Sequence, residues 1–281
     1  MLKNYFYFLQ IKNGFTINTM FKFYESFLSK KGYNKSYFDL SPLIINNLDG
    51  FTDKELVIYH HLGLGDHIIC NGLVNKISKN FKIHLAVKKN NFKNVSYLYS
   101  ENKNVSIFQV ESKNEYKEII NYAKQNKLKI LKVGFNNQTN DKKNFWNVSF
   151  YSQIGFDYST SYDNFSLPTN INKQRQLENH LKNYFQIEND YILVHNQSSK
   201  KKFDLNLHDK NQIEVTKESD LFNNLFLYEI LIKNAKEIHC INSSFIHLVE
   251  RVNTNAILNY HKLWDSNFKL SDKWRVVKYG N

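Results

Sequence analysis

The sequence predicts an α/β fold made of two parallel, doubly wound sheets, and three observations carry that prediction. Short apolar runs alternate with amphipathic stretches of helix length, the repeat that βαβ units leave in a chain. Two polar turns, at residues 61–67 and 242–248, each stand directly between a strand-like run and a helix. Breakers are scarce, with nine glycines and two prolines in 281 residues, so two glycines within residues 63–65 mark a deliberate junction.

Residues 1–54 read as a helical and irregular extension. Phe21, Tyr24, Phe27 and Leu28 form an apolar stripe at helical spacing, and a loop follows around Pro42. Lys3, Lys12 and Lys22 interrupt the aromatic opening, so no apolar span of about 18 residues forms and no transmembrane helix is expected. Met20 offers a second candidate start.

From residue 55 the alternation begins. Residues 56–59 form a buried strand, and residues 68–78 a helix with Ile69, Leu73 and Ile77 on one face. Strands follow at 82–87, where Ile83, Leu85 and Val87 alternate, at 105–110 and at 129–133, with a helix at 115–125. Residues 140–170 break the rhythm and contain Pro168, which places the boundary between a first domain, 55–165, and a second, 166–281. The second reads as helix 177–185, strand 191–195, helix 225–234, strand 237–241, helix 245–252 and a last strand at 256–260. Residues 263–281, with Trp264 and Trp274, read as a tail packed back on the body.

A hydrophobic content of 42% is enough to bury a sizeable core. The net charge of +12 favours anionic partners. The lysines are dispersed and no arginine-rich run occurs, which argues against a nucleic-acid binder and suits phosphate-bearing small molecules. The same basic surface suits peripheral contact with an anionic membrane face. Cys70 and Cys240 each lie in an apolar stretch, as core residues of a protein in the reducing cytoplasm would.

At the first turn, Gly63 and Gly65 remove side chains that would keep a ligand away from the backbone, and Asp66 stands at the helix start. That carboxylate either caps free N–H groups or acts as a general base at the lip of a cleft. The third glycine of a dinucleotide fingerprint is absent, and Val87-Lys88-Lys89 stands where an acidic residue would hold a ribose, so NAD is not expected. His60, His61 and His67 lack metal-ligand spacing, and no Asp-x-Asp pair occurs. In the second half, Asn196, Ser198, Ser199 and Lys200 follow a strand directly, a set of amides, hydroxyls and ammonium groups suited to a diphosphate. Ser243, Ser244 and His247 begin a helix after the strand ending near Cys240, a geometry that favours anions.

The stretch from Tyr228 through Ala235 to Ile241-Asn-Ser-Ser-Phe-Ile-His247-Leu248 resembles the nucleotide-sugar segment of two-domain GT-B glycosyltransferases, in particular lipopolysaccharide heptosyltransferase-type (family 9-like) enzymes. In those, a strand leads to an Asp-Thr/Ser-Gly-x-x-His-Leu turn that holds the donor's phosphates, and a Gly-Asp in the first βα turn supplies the base. Gly65-Asp66 matches the latter in order and setting. Asn242 stands for the usual Asp and Ser244 for the usual Gly. Residues 202–225 leave little room for a strand–helix unit usual there, and Glu214 and Glu218 in that stretch read as solvated carboxylates or ribose ligands. The resemblance implies two Rossmann-like domains facing a cleft in a compact GT-B-like form. It implies a metal-independent, inverting transfer from a nucleotide-diphosphate sugar to a hydroxyl of a glycan or glycolipid, with no other cofactor. Rival readings are a sugar-nucleotide epimerase and a non-catalytic nucleotide-sugar-binding module.

Overall fold

The structure, a computed structural model, describes residues 43–135, 145–198 and 201–279. The stripe expected at residues 21–28, the loop at Pro42, Ser199 and Lys200 lie outside those residues. The described residues from Ile45 onward belong to one compact unit.

The first sheet comprises β1 (Ile44–Ile45), β2 (Glu55–Tyr59), β3 (Lys82–Lys88), β4 (Val105–Val110) and β5 (Lys129–Lys132), in the order β1-β5-β2-β3-β4. Strand β2 pairs in parallel with β3 on one side and β5 on the other, so the strand order reverses there. Leu56, Val57 and Ile58 are fully buried, because a central parallel strand is covered on both faces and reads as a continuous apolar run.

Helices α1 (Leu64–Ile69) and α2 (Asn71–Ser78) follow β2. The sequence led us to expect one helix over 68–78; the observed helix starts four residues earlier and is interrupted at Cys70. Gly65 and Asp66 therefore lie inside the first helical turn. Helix α3 (Phe92–Leu98), which the apolar pattern did not reveal, precedes β4, and α4 (Glu115–Gln125) precedes β5. The stretch that broke the rhythm contains two short helices, α5 (Trp146–Ser152) and α6 (Thr160–Asp163). Its aromatics are core residues: Phe150 and Tyr151 are buried, and the Tyr151 hydroxyl donates to the Ile69 carbonyl at 2.6 Å.

Helix α7 (Ile171–Tyr184) starts earlier than expected because the Asn170 side chain caps it, accepting from the Lys173 N–H at 3.1 Å. The second sheet runs β10-β9-β8-β6-β7, from β6 (Ile192–His195), β7 (Gln212–Glu214), β8 (Glu237–Ile241), β9 (Ile257–Lys262) and β10 (Trp274–Lys278). Every pairing in it is parallel, and its order reverses at β6, between β7 and β8. Two helices complete this half, α8 (Glu229–Asn234) and α9 (Ser244–Val249).

Two expectations for the second half are corrected. The strand at 256–260 is not the last, because the tail carries β10. Trp274 anchors that strand, with its indole N–H donating to Glu250 at 2.6 Å. The helix expected at 225–234 is a 3-10 turn, Leu225–Leu227, followed by α8, since the Asn224 side chain caps the Phe226 N–H and starts a tighter turn. The short stretch 202–225 holds only the three-residue β7. Leu205, with Phe203 and Leu207, covers Ile192, Val194 and Ile241 where a helix would otherwise lie. Cys70 and Cys240 are free and buried.

Candidate active site

In an open parallel sheet, ligands bind beyond the carboxyl ends of the strands where strand order reverses. Both polar turns occupy such positions. Residues 60–66 leave β2, residues 196–202 leave β6 and residues 242–243 leave β8. The fold also brings the first and last of these together. A Cβ placed on Gly65 would lie 3.2 Å from His247 Cδ2 and 3.5 Å from Ser244 Cα, so α1 and α9 touch at their first turns. Gly65 is bare because another helix passes there.

Gly63 has a different reason. The Asp66 carboxylate turns back along α1 and accepts from the Gly63 N–H at 3.1 Å, and a Cβ on Gly63 would stand 2.6 Å from that oxygen. Asp66 thus satisfies one helix-start donor while keeping partial exposure. Burial pushes its carboxyl up to about 7, against the opposing pull of the Gly63 N–H and the Lys88 charge. Lys88 ends β3 and is held by Glu115 at 3.0 Å.

On the facing turn, Ser243 caps α9, its hydroxyl accepting from the Phe245 N–H at 3.3 Å. The same hydroxyl lies 3.2 Å from His195 Nδ1 at the end of β6, which links the two turns of the second sheet. Ser244 is the first residue of α9. His247 is buried, its ring edge-on to Trp146 and Phe268 with centroids 6.0 and 5.2 Å away. Burial, and then the Arg251 charge, pull its imidazole down to about 3, so it is neutral at physiological pH.

The described residues on the two sides of the loop after β6 bond to each other. Ser198 donates its hydroxyl to the Lys201 carbonyl at 3.0 Å, and Gln197 bridges to Lys202. Asn196 is buried and its carbonyl accepts from the Phe203 N–H at 2.9 Å. The described lysines of this loop are engaged: Lys201 lies over the Phe203 ring at 4.6 Å and Lys202 pairs with Glu214. Glu214 is therefore an ion-pair partner rather than a solvated carboxylate.

Sequence reasoning passed over three residues at these turns. His195, stacked on Phe245 and pulled down to about 4 by burial, carried one signal, its place as the last residue of an apolar strand. Lys88 was read only as standing where an acidic ribose ligand would be, and the strand was ended one residue before it. Trp146 follows residues 136–144 and had no signal. His60 and His67 are core residues, fully buried with rings edge-on at 4.5 Å and both held below the usual imidazole range by burial. Among the described residues no group of three His, Cys, Asp or Glu side chains converges, and no helix is long and apolar enough to cross a membrane.

No protein-family model matches the chain, and no curated protein sequence matches it. Its architecture is similar to that of a crystal structure of a glycosyl transferase family 9 protein from Veillonella parvula. The likeness covers 81% of this chain and 87% of that one at 10% sequence identity, with a TM-score of 0.53. The fold is thus that of a GT-B-like protein, with two parallel sheets and the candidate turns where they meet.

Proposed function

We propose that the chain is a glycosyltransferase that moves a sugar from a nucleotide-diphosphate sugar to a hydroxyl of a glycan or glycolipid. The observation that supports this most is Asp66, a carboxylate raised to about 7 at the point where the carboxyl-edge turns of the two sheets meet. A general base works best when its pKa lies near the working pH. Asp66 takes the proton of the acceptor hydroxyl as that oxygen attacks the anomeric carbon. The bond from that carbon to the donor's phosphate oxygen breaks, and its electron pair leaves with the nucleoside diphosphate. A single displacement of this kind inverts the anomeric centre.

The donor side is the second sheet's switch point. Ser243 and Ser244 offer hydroxyls and N–H groups at the start of α9, and Asn196, Ser198, Ser199 and Lys200 belong to the neighbouring loop. These donors offset the charge that grows on the leaving phosphate, so the reaction proceeds without a metal ion. His247, being neutral and packed against Gly65, fixes the two helices and adds no positive charge. A basic surface, with the +12 charge of the chain, holds an anionic membrane face on which a glycolipid acceptor is presented in the cytoplasm.

Incubation of the full chain with UDP-, GDP-, ADP- and CMP-linked sugars, read first by thermal shift, identifies the donor, because a ligand of the folded state raises the melting temperature. Product analysis follows with the donor that binds. Transfer of the sugar to an added acceptor supports the proposal. Donor binding with a free epimerised nucleotide sugar as the only product overturns it.

A further inference from the structure

The amino edge of the first sheet carries a groove of about 640 Å³. It is bounded by the end of α2, by the turn that enters β4, and by residues 163–168, the crossing from the first half to the second. Because β2, β3, β4 and β5 run parallel, this edge is opposite the one that holds Asp66. The seven residues of β3 alone put roughly 20 Å between the two edges.

The groove is lined by amides that hold one another in place. Asn102 donates to Asn75 Oδ1 and to the Ser78 hydroxyl, both at 2.9 Å. Asn75 donates to the Ser166 hydroxyl at 3.0 Å, Asn104 to the Ser78 carbonyl at 2.9 Å, and Lys79 to Asn164 Oδ1 at 2.8 Å. Such a network is fixed before any ligand arrives, which lowers the ordering cost of binding. The Asn164 NH₂ donors and the Asn104 Oδ1 acceptor are among the groups this network leaves open to a ligand.

Charge narrows the ligand. Lys79 and Lys103 are balanced by Glu101 and Asp163, so this wall is neutral on a chain whose net charge is +12. A wall without net charge gives no long-range pull on a nucleotide or phosphate, whereas hydroxyls, which both donate and accept, match amides. Phe165, Leu98 and Pro168 add an apolar strip on which C–H groups can lie. We infer that this groove binds neutral carbohydrate, as a site separate from the one assigned to transfer and independent of that assignment.

The test uses the isotope-labelled full chain and follows backbone and Asn side-chain amide resonances. The probes are the methyl glycosides of glucose, galactose and N-acetylglucosamine, and cellotetraose, at millimolar concentrations. Saturable shifts at Asn75, Asn102, Asn104 and Asn164 are expected. Tighter binding of cellotetraose than of the methyl glycosides assigns the groove to a glycan chain, and equal binding assigns it to a single sugar unit. Asn164→Asp keeps the acceptor for Lys79 and replaces the NH₂ donors with a charged carboxylate; it is expected to weaken binding of neutral sugars about tenfold while the fold is retained. Absence of saturable shifts with all four probes overturns the inference. So do shifts confined to residues 63–66 and 242–247.

Discussion

The turn after β2 and the turn after β8 are built alike and behave oppositely. Each is a strand that stops, a few polar residues, and a six-residue helix whose first turn faces the other's. Burial acts on both, always against the charged form. In the first turn it raises Asp66 to about 7, where a carboxylate can exchange protons near neutrality. In the second it lowers His247 to about 3, where an imidazole stays neutral and serves as packing. One physical cause thus brings the Asp66 carboxyl near neutrality in one turn and keeps the His247 imidazole uncharged in the other.

Breaking the first turn gives the largest effect. Asp66→Asn keeps an oxygen that can accept from the Gly63 N–H, so the fold is retained, but it removes the proposed base. Transfer rates are expected to fall by about 10²–10⁴-fold while donor binding by thermal shift stays unchanged. Unchanged turnover in the variant would remove Asp66 from the chemistry. In the unmodified chain kcat/KM is expected to rise with pH, with an acid limb centred at about 7 and a loss of about tenfold per pH unit below it.

The same contrast appears in stability. Asp66 is raised when folded, so its contribution is fully present below the free carboxyl value of 3.8 and is lost as pH climbs through about 7. His247 is lowered when folded, so its contribution is present above 6.5 and is lost as pH falls towards about 3. Melting curves of Asp66→Asn should therefore gain on the parent chain as pH rises from 4 to 7. Those of His247→Phe should gain as pH falls below 6.5. A pH-independent difference in either variant contradicts the burial that separates the two turns.

Periodicity made the strands legible and left much of the site hidden. Strands β2 and β8, covered on both faces, and the half-exposed edge strand β4 were each read to within a residue. Helices α3, α5 and α6 were not seen, since their apolar faces are short and their aromatics face crowded junctions. Asp66 was legible as a carboxylate at a strand–helix turn. The reason for Gly65 was not, because its neighbour, Ser244, lies almost 180 residues away in the chain. The end of β6 taught the same lesson: His195 meets Ser243 only because β6 and β8 are adjacent.

Gly65 tests whether the two turns must touch. Alanine there brings a Cβ to 3.2 Å from His247 Cδ2, a contact that a small ring shift can relieve, and it gains helix propensity over glycine, so stability should change little. Valine has no such escape against the Ser244 backbone at 3.5 Å and is expected to cost about 1–3 kcal/mol by chemical denaturation. If valine were tolerated as well as alanine, the helices would not be held at this contact.

The smallest effect is expected at Ser243, where one hydroxyl serves two partners. Ser243→Ala removes the cap on the Phe245 N–H and the contact with His195 Nδ1. Loss of a serine cap costs about 1 kcal/mol, which lowers the melting temperature of a chain of this size by roughly 2–4 °C. Threonine keeps the hydroxyl and should restore most of that loss. The informative readout is donor binding. If the second turn is a set of uncharged donors to phosphate, alanine weakens nucleotide binding beyond its effect on stability, and threonine rescues both. Rescue of stability without rescue of binding would limit Ser243 to capping α9 and move the donor contacts to Ser244 and the loop after β6.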